Sequence, residues 1–152
     1  MPARIVALGQ RAAGDDAVGL AVLDALRRAA LPPGTELVEA AEATALVDLL
    51  VTDRPVVVVD AVVGPGRIGE VLALDAGALA TSTDRPVSTH GVDVAQALAL
   101  ARVLSPETAA RSIAIVAVRI APPARFTHGL SDAVAAAVPR AVSTVLACLG
   151  GA

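Results

Sequence analysis

The 152-residue chain has no lysine, tryptophan or tyrosine, one phenylalanine and one cysteine. Each shortage removes a class of reading. A single cysteine, Cys148, rules out an internal disulfide and any cysteine-cluster zinc site. Positive charge comes from scattered arginines alone and the net charge is -3, so there is no basic footprint for nucleic acid. No apolar run reaches membrane-spanning length; the strongest, PVVVVDAVVG, is broken by Asp60. The amino end lacks the charged-then-apolar order of a secretory signal, so a cytoplasmic protein without membrane contact is expected. With Phe126 as the one aromatic, packing must rest on small aliphatic side chains. What the chain does have is 55% apolar residues, carried largely by alanine and valine. Its length suits one core, and no linker or long repeat divides it, so residues 1–152 read as a single domain.

Periodicity supplies the elements. Residues 4–8 read as a buried strand and 15–30 as a helix, with Val18, Val22 and Leu26 on one stripe, stopped by Pro32, Pro33 and Gly34. A weaker strand at 35–39 precedes a helix at 42–51. The β-branched run 56–59 is the clearest buried strand, and Asp60 closes it. After a turn at Gly64–Pro65–Gly66, residues 68–74 form another strand; the gap of about eight residues is too short for a helical crossover, which makes it antiparallel. Residues 75–87 read as a loop with room for a helical turn at 77–80. Ser88 or Thr89 caps a helix beginning at His90 and ending near 103. A strand at 113–120 ends at Pro122 and Pro123, and a last helix spans 131–149, where Pro139 should kink or divide it. The expected fold is a three-layer α/β/α sandwich around a mostly parallel, twisted, five-stranded sheet with one antiparallel strand.

Ligands of open α/β sheets bind beyond the carboxyl ends of the strands. Three loops bring suitable groups to that edge: Asp15 and Asp16 after the first strand, Asp60 at the end of the third, and His90 in VSTHG. Two carboxylates and an imidazole could share one ion, and that donor set suits zinc, nickel or iron better than calcium. Each residue also has an ordinary use. Asp15 could cap the first helix, Asp16 could favour its dipole, Asp60 could bond loop amides and His90 could be a first-turn residue. A carboxylate ending an apolar strand is costly unless paired or wet, and a neutral imidazole suits a helix amino end better than a charged one. His128 reads as a surface-loop residue, Ser131 as the cap of the last helix and Cys148 as a small buried hydrophobe. There is no G-x-S-x-G elbow for a serine nucleophile. The first loop lacks G-x-G-x-x-G, and its acidic pair would repel a dinucleotide's phosphates. A phosphoacceptor receiver domain is similar in its acidic residues but requires a lysine.

Taken in series, ALGQRAAGDDAVG, VVVVDAV, STH and VRIAPPARFTHGLSDAV resemble the motifs of the nickel-iron hydrogenase maturation proteases, in order and across nearly the whole chain. The resemblance puts Asp16, Asp60 and His90 on the family's three metal-ligand positions. It implies an α/β endopeptidase that trims a carboxyl-terminal peptide from the hydrogenase large-subunit precursor after nickel insertion. The nickel would be carried by that precursor, with zinc or another divalent ion able to stand in its place. Asp16 and Asp60 would be the catalytic carboxylates, one of them accepting a proton from water, and the enzyme would act as a monomer. The sequence departs from the family at the first loop, which reads Ala7-Leu8-Gly9-Gln10 rather than G-x-G-N. It departs again at Ala17, where glycine is usual, and in EAAEAT, which lacks a glycine. Lost glycines remove close backbone approach and alter the rim of the site. They motivate an alternative, a non-catalytic factor of the same fold that binds a metalloprotein precursor or another partner; a third reading is a structural or regulatory α/β protein without metal.

Overall fold

The computed structural model of the chain describes residues 2–11, 14–41, 43–75, 87–88, 94–109, 112–122 and 129–150. Strand β1 spans Arg4–Leu8, and a 3-10 turn over Gly14–Ala17 leads into helix α1, Val18–Arg27. Then come β2 (Glu36–Ala40), α2 (Ala43–Leu50), β3 (Val56–Val63), β4 (Val71–Asp75) and the two-residue β5 (Val87–Ser88). Helix α3 (Val94–Leu104), β6 (Ile113–Arg119) and α4 (Asp132–Gly150) complete the chain.

The main strand order is β2-β1-β3-β6-β4. β1, β2, β3 and β6 run parallel, and β4 lies antiparallel on β6, as the short connection required. β5 adds a sixth strand, antiparallel to β3, pairing Val62 with Ser88 and Val63 with Val87, which places Ser88 in a strand instead of a helix cap. The centre of the sheet is buried on both faces because β3 opens with an apolar run: Val56, Val57, Val58 and Val59 are all buried. Even-numbered β3 residues face α2 and α3, where Leu46, Leu50, Ala97, Leu98 and Ala101 close the core. Odd-numbered ones face α1 and α4, through Val22, Leu23, Leu26, Ala137, Ala141 and Val145. This is the three-layer sandwich anticipated from periodicity.

Three expectations change in detail. The first helix does not start at Asp15 as an α-helix; the acidic pair occupies a 3-10 turn, and Ala17 caps α1 with no side-chain hydrogen bond. Pro139 sits inside α4 without dividing it. Pro139 and Ala135, whose carbonyl loses its usual donor, are both on the exposed side, where water can supply the missing bond. By length and composition α4 could also cross a membrane, against the expectation that no apolar run reaches that length. Here its stripe of Val134, Ala137, Ala141 and Val145 is buried in the core. The expected turn at 77–80, Thr89, His90, Phe126 and His128 lie outside the described residues.

Candidate active site

The main chain reverses its winding between β1 and β3: β2 lies outward on one side of β1, while β3 and β6 continue on the other. This is the switch point at which an open α/β sheet leaves a crevice. β1 pairs with β3 only as far as Ala7 opposite Val59. β3 then runs on beside β6, with Asp60 opposite Ala117, Ala61 opposite Val118 and Val62 opposite Arg119. Asp60 therefore does not close its strand, as the sequence suggested; the strand continues through Val63. It is the first β3 residue beyond the fork, and is only 2% exposed. Its Oδ1 accepts a hydrogen bond from the Ala61 amide at 2.8 Å, so part of its charge is held by its own strand.

The amino end of α1 sits over the same fork. A Cβ on Gly19 would lie 2.8 Å from the Leu8 carbonyl oxygen and 2.9 Å from that of Val59. Only a glycine lets the helix descend this close to both strands. The descent packs the 3-10 turn carrying Asp15 and Asp16 against β3.

The two adjacent carboxylates have different surroundings. Asp15 accepts the Ser131 amide at 2.7 Å and the Ser131 hydroxyl at 2.8 Å. It caps the amino end of α4 rather than its own helix, and the Ser131 hydroxyl donates to it while the Ser131 carbonyl accepts the first helical bond from Ala135. Asp16 has the opposite fate: its Oδ1 is buried and has no hydrogen-bond partner among the described residues. An acceptor left so is costly unless something completes it.

The loop before the pair is braced. Arg11 donates to Asp24 on α1 at 2.8 Å and also pairs with Glu39 at the end of β2, while Arg27 reaches Asp24 at 2.5 Å. The hydrogen bond with Asp24 holds the Arg11 guanidinium above its ordinary range and the Asp24 carboxyl below its own.

The turn that carries Asp16 packs against β3, the strand that carries Asp60. Among the described residues no group of three His, Cys, Asp or Glu side chains forms a metal site, and the third predicted ligand, His90, is outside those residues. Cys148 is partly buried on the far end of α4, and burial raises its thiol pKa, which fits a packing role. One residue escaped the sequence reading. Arg119 ends β6 and is buried, with Nε and Nη1 unpartnered. The signal was present in IAIVAVRI: a charge inside an apolar strand invites the same question as Asp60 does.

A family model described as hydrogenase maturation protease matches residues 20–148. No curated protein matches the chain. Among solved structures, the hydrogenase maturating endopeptidase HybD from E. coli is 24% identical with a TM-score of 0.78, covering 99% of this chain and 93% of that one. The [NiFe] hydrogenase maturation protease HybD from Thermococcus kodakarensis is 23% identical with a TM-score of 0.75, covering 95% and 97%. A hydrogenase 2 maturation peptidase from a Thaumarchaeota archaeon is 24% identical with a TM-score of 0.65, covering 99% of each chain. At these identities the structures establish a shared fold.

Proposed function

This chain belongs to the hydrogenase maturation protease family, and we propose that it removes the carboxyl-terminal peptide from the nickel-loaded precursor of a hydrogenase large subunit, with Asp16, Asp60 and His90 gripping the nickel. The observation that supports this reading is the orphaned Oδ1 of Asp16. A buried carboxylate oxygen without a donor, on a turn packed against the strand that carries a second buried carboxylate, suits a cation that arrives with a ligand. The metal is cargo of the substrate, and it serves first as a tag: only a loaded precursor seats its tail in the crevice. Zinc or another divalent ion can occupy the same donor set.

His90 precedes α3 in sequence, and a neutral imidazole there supplies the nitrogen ligand. A carboxylate oxygen of Asp16 or Asp60 not engaged by the metal takes a proton from the attacking water. The water oxygen bonds to the scissile carbonyl carbon, the carbon–nitrogen bond breaks, and the proton passes to the leaving amine. Action as a monomer in the cytoplasm is part of the same proposal.

The test is trimming of a nickel-loaded precursor by Asp16→Asn and His90→Ala. Each should lose roughly 100-fold or more in rate, the scale of a missing proton acceptor or ligand. Full trimming by both variants would end the proposal. The departures at Ala17 and in EAAEAT favour a second reading, binding without cleavage. It predicts a stable complex in which the precursor keeps its full intact mass.

A further inference from the structure

Arg119 has no part in the chemistry above, and its surroundings are unusual for an arginine. Its side chain is 7% exposed, and one nitrogen, Nη2, reaches a Glu70 oxygen at 3.3 Å. Nε and Nη1 are buried without a hydrogen-bond partner among the described residues. Glu70 sits directly across the antiparallel ladder, where Gly69 N donates to the Arg119 carbonyl and Arg119 N to the Glu70 carbonyl. The Glu70 side chain is 37% exposed and offers one long contact, so it neutralises the guanidinium poorly. Above the guanidinium lies the β3–β4 strap: a Cβ on Gly66, whose φ is +133, would fall 2.5 Å from Nε. The strap has bare backbone where any side chain would displace the arginine.

A buried cation with two idle nitrogens costs stability that an apolar side chain of similar length would not. Its position suggests why it is there. Strand parity puts Arg119 on the same sheet face as Asp60, two register steps beyond the Asp60–Ala117 pair. Strand spacing and rise set the two Cα atoms about 8 Å apart, roughly two to three residues of extended peptide.

We propose that Arg119 is a specificity-determining residue that receives a carboxylate of the substrate's tail, with the Gly64–Gly69 strap lifting to admit it. The inference rests on the precursor-processing reading. A carboxylate suits the site better than a neutral amide because the deficit is one of charge as well as of hydrogen bonds, and Nη1 with Nε can supply several donors at once. Its source is either the terminal α-carboxylate or an acidic side chain in the tail.

The experiment measures calorimetric binding of nickel-loaded precursor to the full chain. Three tails are compared: native, amidated at the terminus by ligation, and with acidic side chains changed to amides. Arg119→Met should bind the native precursor about 10-fold or more weakly, while its urea midpoint stays level or rises. One of the altered tails should cost wild type the same factor and cost Arg119→Met nothing further; which one does so identifies the carboxylate. The proposal is overturned if Arg119→Met binds like wild type, or if both altered tails weaken the two proteins equally. If Arg119→Met fails to fold, the wild-type measurements decide alone, and indifference to both altered tails overturns it. Failure of wild type to bind any precursor overturns it together with the processing reading. Binding without trimming would sink cleavage alone and leave the role of Arg119 standing.

Discussion

Asp15 and Ser131, 116 positions apart, are joined by two hydrogen bonds of 2.7 and 2.8 Å that use both carboxylate oxygens. One end of this link is the start of α4; the other is the residue before Asp16. The clamp therefore fixes the turn on which Asp16 stands. Asp15→Ala should cost about 1 kcal/mol in urea unfolding, since both Ser131 donors are near water and can be rehydrated. Its effect on trimming should be larger than that stability loss explains. Asp15→Asn, which keeps an acceptor for the amide, should fall between the two. Equal trimming by Asp15→Ala and wild type would show that Asp16 needs no such anchor.

Gly19 should tolerate no side chain. Gly19→Ala drives a methyl to within 2.9 Å of two backbone oxygens that belong to central strands and cannot turn aside. A loss of about 1–3 kcal/mol is expected from the forced separation of α1 and the sheet, read by denaturant midpoint. Trimming should fall as well, because the same shift lifts the turn that carries Asp16 off β3.

The Arg11–Asp24 pair predicts a pH dependence. The folded-state pKa of Asp24 is depressed, first by its hydrogen bond to Arg11. Its contribution is fully present above the unfolded carboxylate value of about 4 and is lost as pH falls through the lower folded value. The pair is solvent-exposed, so the contribution is small and salt-screened. Asp24→Asn should lower the urea midpoint slightly at pH 7, and the difference from wild type should shrink as pH drops below about 4 or as salt is added.

Cys148 should behave as a packing residue. Burial raises its thiol pKa, which leaves little thiolate at neutral pH. Alkylation by iodoacetamide should be slower than for a free cysteine in solution, and Cys148→Ser should trim at the wild-type rate. A fast-reacting thiol whose modification stops trimming would contradict this.

Much of the fold was legible in local pattern. Val56 to Val59 read as a central strand because four β-branched residues in a row suit nothing else as well, and Val18, Val22 and Leu26 announced a helix face. The brevity of the β3–β4 connection forced an antiparallel strand. Less legible were the element ends. Asp60 looked like a terminus because a charge interrupts an apolar run, yet β6 continues to pair with β3 beyond it, and a neighbouring strand overrides the local signal. Asp15 looked like a cap for the nearest helix, and it caps a distant one.

The sequence alone determined the alternation of strands and helices, and which residue types could meet at the sheet's carboxyl edge, because both follow from side-chain period and from the length of each connection. Tertiary structure alone decided the fork between β1 and β3, the burial of one Asp16 oxygen without a partner, and the sealing of Arg119 beneath a glycine strap. Those depend on which distant backbones close upon one another, and no spacing along a chain encodes the solvent that such closure removes.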